Sequence, residues 1–177
     1  MGAQHCWVMI LILGFLFQAR LLNSQNFACN PKDLTALQDF MGNLTTEFEG
    51  WTANSVADCC EWEGITCEPP SSGRVIKLEL PRKRLSGILS DSLAGLDQLT
   101  TLNLSHNFLK GSLPMSLFHL PNLELLDLSD NDFFGTIPES IDLPSIQIVE
   151  ISSNFLNGSL PSDTHTQYIY IYIYVNS

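Results

Sequence analysis

One pattern constrains this chain more than any other: thirteen residues recur four times without a gap. The copies are Leu78–Ser90, Leu102–Pro114, Leu126–Pro138 and Val149–Pro161, at offsets of 24, 24 and 23 residues, and an apolar residue precedes each by three positions (Val75, Leu99, Leu123, Ile146). The shared pattern is LxxLxLxxNxLxGxLP. Recurrence at a fixed period of this length is the mark of a stacked repeat architecture and is sought before any other signal.

Each residue class has a physical task. The two apolar residues of LxL are two apart, so both side chains point to one face of a short strand. Stacked copies then form a parallel sheet over a continuous aliphatic column. Asn107, Asn131 and Asn154 fall where the chain must turn inward after the strand, and an asparagine amide there can pair with backbone groups that the turn would leave buried and unpaired. Lys83 holds this place in the first copy, so the ladder is expected to start weak. Gly87, Gly111, Gly135 and Gly158 permit the second bend, and Pro114, Pro138 and Pro161 fix the return path. These readings are structural, and no functional role is assigned to the asparagine ladder.

One repeat cannot bury its own apolar face, so at least three must stack and the ends need caps. The segment before the repeats has the features of such a cap. Asn30-Pro31-Lys32-Asp33 reads as an N-cap, a proline in the first turn and a favourable acid. Leu34, Leu37, Phe40, Met41 and Leu44 then line one helical stripe. Trp51 and Trp62 add bulk to cover the column, and Ile65–Cys67 is expected to pair with Val75–Lys77 as a hairpin.

Cysteine use and the first residues point to the secretory pathway. Trp7 to Phe17 is an apolar run of eleven, followed by Asn23-Ser24-Gln25. That length suits the core of a signal peptide and falls short of a bilayer span. Residues 1–24 are expected to be removed near Ser24, with no membrane span afterwards; an uncleaved anchor is the competing reading. Cys6 would leave with the signal, and Cys29, Cys59, Cys60 and Cys67 remain as an even set, read as two disulfides. Pairing adjacent Cys59 with Cys60 would strain a small ring. Of the other two connectivities, Cys29–Cys59 with Cys60–Cys67 keeps the links local and is preferred. A zinc site is disfavoured, because CxxC pairs and histidine are missing from the segment.

The net charge is −11, and loss of Arg20 with the signal makes it −12. An acidic chain has no electrostatic footing on phosphate backbones, so nucleic acid is excluded as a partner class. The acids form no run, and Arg82-Lys83-Arg84 is expected to be a solvated turn, with contact to an acidic partner as the competing reading. His5, His106, His119 and His165 are scattered, with no ligand-spaced companions. No catalytic, cofactor or metal residue is assigned, and the chain is expected not to be an enzyme. Asn43, Asn103 and Asn157 begin glycosylation sequons, with Asn103 facing outward from the concave sheet.

Cys29 to Cys67 with Trp62-Glu-Gly-Ile-Thr-Cys67, followed by LxxLxLxxNxLxGxLP units, resembles the N-terminal cap and first repeats of plant leucine-rich-repeat receptor-like kinases. The likeness covers residues 29–161, about three quarters of the chain. Within that family, Cys29–Phe40, Asp58–Cys67 and Gly73–Leu80 are most similar to receptors of a sulfated peptide hormone. The resemblance implies a leucine-rich-repeat solenoid (α/β, with a short parallel sheet on its concave face), a disulfide-bonded helical cap over 25–73 and about four repeats over 74–161. It also implies a plasma-membrane or extracellular setting and a non-catalytic module sensing an extracellular peptide or protein partner. The hormone-contacting island, membrane span and kinase of such receptors match nothing here. No GxGxxG loop, VAIK lysine, HRD or DFG occurs.

Residues 162–177 break the pattern. Tyr168 to Val175 alternates tyrosine with isoleucine, as a repeated TA dinucleotide would encode. This tail is expected not to be native repeat structure, which leaves the solenoid without a C-terminal cap and Val149, Ile151, Leu156 and Leu160 partly wet. A final strand covering the last repeat is the alternative. A stand-alone secreted repeat protein, either a decoy or an inhibitor of cell-wall-degrading enzymes, is the rival function. Its expected second cysteine cap is missing.

Overall fold

A computed structural model describes residues 29–48, 51, 58–68, 72–137 and 141–158, and the backbone of 170–172. The expected signal segment, Pro138, Pro161 and the rest of the tail lie outside these residues. The chain opens with helix α1 (Pro31–Gly42), a short 3-10 turn (Cys59–Glu61) and strand β1 (Ile65–Cys67). The repeats then alternate between two sheets. Strands β2 (Val75–Glu79), β4 (Thr101–Asn103), β6 (Leu125–Asp127) and β8 (Ile148–Glu150) form one; β3 (Ser86–Ile88), β5 (Phe108–Gly111), β7 (Asp132–Thr136) and β9 (Phe155–Asn157) form the other. On the return path, 3-10 turns at Asp91–Gly95 and Met115–His119 bring the chain back under the sheets.

The register shows why the period matters. Leu78, Leu102, Leu126 and Val149 are successive Cα partners across parallel strands β2, β4, β6 and β8, and all are buried. Beside them run Leu80, Leu104, Leu128 and Ile151 from the strand ends, and Leu85, Leu109, Phe133 and Leu156 from the second sheet, also buried. The column is therefore continuous from the cap to the fourth repeat, and burial of its side chains at about 25 cal/mol per Å² is the main favourable term.

The asparagines occupy the seam between repeats. The Asn131 amide donates to the carbonyls of Leu104 (3.0 Å), Leu128 (3.2 Å) and Ser129 (3.1 Å), while its oxygen accepts from the Leu109 amide at 3.0 Å. Asn154 repeats the arrangement with Leu128, Ile151, Ser152 and Phe133. Asn107 donates to Leu80, Leu104 and Ser105 and accepts from both Lys83 and Leu85. Each side chain thus bridges two repeats. The ladder's first turn, expected to be weak at Lys83, is held by the asparagine of the repeat after it. The residue before each ladder position, namely Arg82, His106, Asp130 and Ser153, takes a left-handed backbone with φ between 52° and 58°. That conformation costs a non-glycine residue about 1–2 kcal/mol, a cost the side-chain bridges offset.

The cap seals the first repeat. Asn30 caps α1 by accepting from the Lys32 amide at 3.0 Å. Disulfides join Cys29 to Cys59 and Cys60 to Cys67, with Cα separations of 5.2 and 5.5 Å. The longer loop spans 30 residues, a closure worth about 3–4 kcal/mol in the chain-entropy view. Asp58 accepts from the Cys29 and Cys60 amides and so fixes both half-bridges. Trp51 packs against Phe40, Phe48 and Trp62, and its indole N–H donates to the Glu63 carbonyl at 2.8 Å. Strand β1 runs antiparallel to β2, with Thr66 opposite Lys77, the hairpin expected from the sequence. The chain after α1 also extends the second sheet: Leu44 bridges Gly87, and a Cβ at Gly87 would lie 2.3 Å from the Asn43 carbonyl oxygen. Only glycine permits that approach.

At the far end the structure departs from expectation. A tenth strand, β10 (Tyr170–Tyr172), lies parallel to β8 with Ile171 opposite Val149. Val149, Ile151 and Leu156 are buried instead of partly wet, and Leu160 lies outside the described residues. The backbone of this segment takes the open edge beside β8, the place a further repeat strand would fill.

The seam generates a prediction. Asn131→Leu removes a bridge between repeats and takes the acceptor from the buried Leu109 amide, while the Leu104 and Leu128 carbonyls keep the Asn107 and Asn154 amides as donors. It should lower unfolding free energy by about 2 kcal/mol, the cost of one orphaned buried group together with the lost bridging bonds. Urea unfolding measures it, and a change below about 0.5 kcal/mol would contradict the bridging role.

Candidate partner-binding face

The concave sheet presents two outward columns on either side of the buried one. Lys77, Thr101, Leu125 and Ile148 form the first, and Glu79, Asn103, Asp127 and Glu150 the second. Strand alternation places them there, and the parallel spacing of about 4.8 Å makes each column a row of closely set groups. The second column carries three carboxylates.

Three of those groups also work locally. The Asn103 carbonyl oxygen accepts from the Ser105 amide (3.0 Å) and hydroxyl (2.8 Å), Asp127 accepts likewise from Ser129, and Glu150 accepts from the Ser152 hydroxyl. They tie down the turn that follows each strand. Glu79 has no such partner among the described residues and is exposed. A third row lies past the strands, at the left-handed positions. His106 sits between Arg82, at 3.3 Å from its Nε2, and Asp130, at 3.2 Å from its Nδ1. Three successive repeats thus contribute one polar chain. From sequence His106 looked isolated; the 24-residue offset is the signal that brings it to Arg82 and Asp130.

A second charged cluster, unforeseen in the sequence, joins cap to repeat. Asp33 is fully buried, accepts from Arg74 Nε at 3.0 Å and from the Val75 amide at 2.7 Å, and shares Arg74 with Asp97. Asp97 also receives Lys32 at 2.5 Å. The Lys32 ammonium, followed by the Arg74 guanidinium, lowers the Asp97 carboxyl from 3.8 to about 2. Hydrogen bonds from Ser92 and Ser90 lower Asp39 in the same way. These ties hold α1 against the Asp91–Gly95 turn.

The remaining sequence-predicted residues fall apart from one another. Asn43 ends α1 and donates its amide to the Asp39 carbonyl at 2.8 Å. Asn103 lies in the concave column, and Asn157 is exposed on β9 of the other sheet. Sulfurs of Cys59, Cys60 and Cys67 approach within 4.8 Å of one another, but all three belong to disulfides and offer no thiolate to a metal. No helix of the described residues is long and apolar enough to cross a membrane.

A ladder of short parallel strands with a cystine-bonded helical cap defines a class, and comparison with known proteins agrees. Residues 30–68 match the leucine rich repeat N-terminal domain, and residues 74–133 match the leucine rich repeat. The BIR2 ectodomain of Arabidopsis thaliana superposes with a TM-score of 0.67 at 32% identity, covering 76% of this chain and 72% of that one. The chain therefore belongs to the plant leucine-rich-repeat receptor ectodomains. Among individual relatives, phytosulfokine receptor 1 of Arabidopsis thaliana is 55% identical over 107 residues, 59% of this chain and 11% of the receptor, so the chain spans about a tenth of that relative's length. The receptor kinase HAESA, solved with the peptide hormone IDA and the co-receptor SERK1, superposes at a TM-score of 0.66 and 32% identity, over 75% of this chain and 23% of that one. The two family matches fall on the cap and the repeats.

The cap cluster has a pH signature. Asp97 and Asp39 titrate below the ordinary carboxylate range, so their stabilisation is fully present above about pH 4 and fades as pH falls toward 2. Asp97→Asn should flatten that acid limb. It should cost about 1 kcal/mol or less at neutral pH, because the carboxylate is 37% exposed and water screens it. Thermal unfolding of both forms between pH 2 and 6 checks the sign.

Proposed function

We propose that this chain is the N-terminal part of the extracellular ligand-sensing region of a phytosulfokine-receptor-like receptor kinase. It is a non-catalytic interaction module that enters the secretory pathway. In this reading residues 1–24 are the signal, 25–73 the cap, 74–161 the repeats, and 162–177 a tail outside the repeat pattern. The observation that carries it is the 55% identity to phytosulfokine receptor 1 over 107 residues, against 48% over a shorter 61 residues to receptor-like protein 34 and 32% to the BIR2 ectodomain. The outward columns supply the contact positions, and Glu79, without a local partner among the described residues, is the residue available to meet a basic group of a peptide or co-receptor.

The role of this segment is to seal the solenoid and present its first contact surface. HAESA's complex with a peptide and a co-receptor supports the partner class by analogy of fold.

A chimera tests this reading. The matching N-terminal segment of phytosulfokine receptor 1 is replaced by residues 25–158 of this chain, and phytosulfokine binding to the secreted ectodomain is measured. An affinity within about threefold of the parent, under 1 kcal/mol, is expected. A secreted, folded chimera whose affinity falls more than about tenfold would overturn the assignment.

A further inference from the structure

The outer face of the second sheet holds two large exposed rings side by side. Phe155 is 67% and Phe134 56% exposed, and their Cα atoms are direct partners in the β7–β9 register. A contiguous apolar pair of this kind on a secreted surface calls for a cover. Two residues beyond Phe155 stands Asn157, exposed and opposite Thr136. Side chains two apart on a strand share a face and are about 7 Å apart, so the Asn157 amide projects beside the Phe155 ring. After it the backbone leaves the strand at Gly158, with φ +98° and, among the described residues, nothing nearer than 3.7 Å to an added Cβ. The sequence there, Asn157-Gly-Ser159, is an acceptor for N-linked sugar.

We propose that Asn157 carries an N-linked glycan whose first N-acetylglucosamine lies over the Phe155 ring, with Phe134 as its second wall. In the transfer step the Asn157 Nδ2 forms a bond to C1 of a lipid-diphosphate-linked oligosaccharide. The C1–O bond breaks, the lipid diphosphate leaves with the bonding pair, and Nδ2 gives up one proton. The β-linked sugar has one face made of axial C–H groups. Those weakly positive hydrogens suit the negative face of an aromatic ring, while the hydroxyls stay in water at the rim. Among the described residues the other two sequons lack such a platform. Asn103 has Glu79 and Asp127 as its register neighbours, and Asn43 ends a helix with its amide on the Asp39 carbonyl. This inference does not rest on the receptor assignment, since it needs only passage through the secretory pathway.

The test uses the full chain, secreted from eukaryotic cells. Glycopeptide mass spectrometry reads occupancy at Asn157, and enzymatic trimming leaves a single N-acetylglucosamine. The trimmed protein should melt about 3 °C above Asn157→Gln, and this difference should fall to about 1 °C or less when both carry Phe155→Ala, a surface change that spares the core. An unmodified Asn157, or an increment equal in the Phe and Ala backgrounds, overturns the proposal. Translation into microsomes gives an independent reading that needs no secretion: a glycan gel shift lost in Asn157→Gln is expected, and its absence overturns the site.

Discussion

A strand of three residues cannot hold itself together, and everything in this protein follows from how that deficit is met. Each repeat leaves its aliphatic face open on both sides, so it is stable only against a neighbour. Apolar burial supplies the attraction but has no direction. The bridging asparagines supply the direction. Asn107, Asn131 and Asn154 fill their hydrogen-bonding capacity with carbonyls and amides of two repeats at once, which fixes the stacking register and lets a residue at positive φ persist before each of them. A purely apolar seam would allow neighbouring turns to slide, whereas a buried amide left half-paired would be expensive.

Because the seam is held from inside, the two outward columns are released from structural work to different degrees. Thr101, Leu125 and Ile148 contribute little beyond their place on the strand. Asn103 and Asp127 spend their oxygen on the Ser105 and Ser129 turns, so a partner must either accept that geometry or compete with it. Glu79 alone in its column is uncommitted among the described residues. The surface is therefore graded, and its most adaptable part lies nearest the cap.

The periodic features were legible in the sequence because they depend on short-range spacing. The LxL pairs, the ladder asparagines, the hairpin at Ile65–Cys67 and the stripe through Leu37 and Phe40 each follow from periods of 2, 3.6 or 24. The cystine pairing is the one preferred from the sequence, with Cys60–Cys67 seven residues apart and Cys29–Cys59 thirty. What escaped were pairings across the stack. Asp33 read as an ordinary first-turn acid, and only the fold brings it to Arg74, 41 residues on. His106 read as solitary until register set it between Arg82 and Asp130. The burial of Val149 and Ile151 was missed for a related reason: the edge beside β8 is taken by backbone whose own sequence carries no repeat signal.

The two ends of the solenoid differ in kind, and the difference bears on how the fold holds. At the start, cystines, stacked tryptophans and the Asp33–Arg74–Asp97 cluster tie the cap to the first repeat through covalent, apolar and ionic links at once, so opening that end means breaking all three. At the far end β10 offers backbone pairing to β8, and the described residues there include no disulfide. In a stack whose stability is a sum over neighbours, opening begins where the terminal link is weakest. Among the described residues the fourth repeat is thus held by fewer kinds of link than the cap, while the column from Leu78 to Leu126 is shielded on both sides. A sugar over Phe155 would act on that weaker end, since the ring sits on the outermost strand of the second sheet.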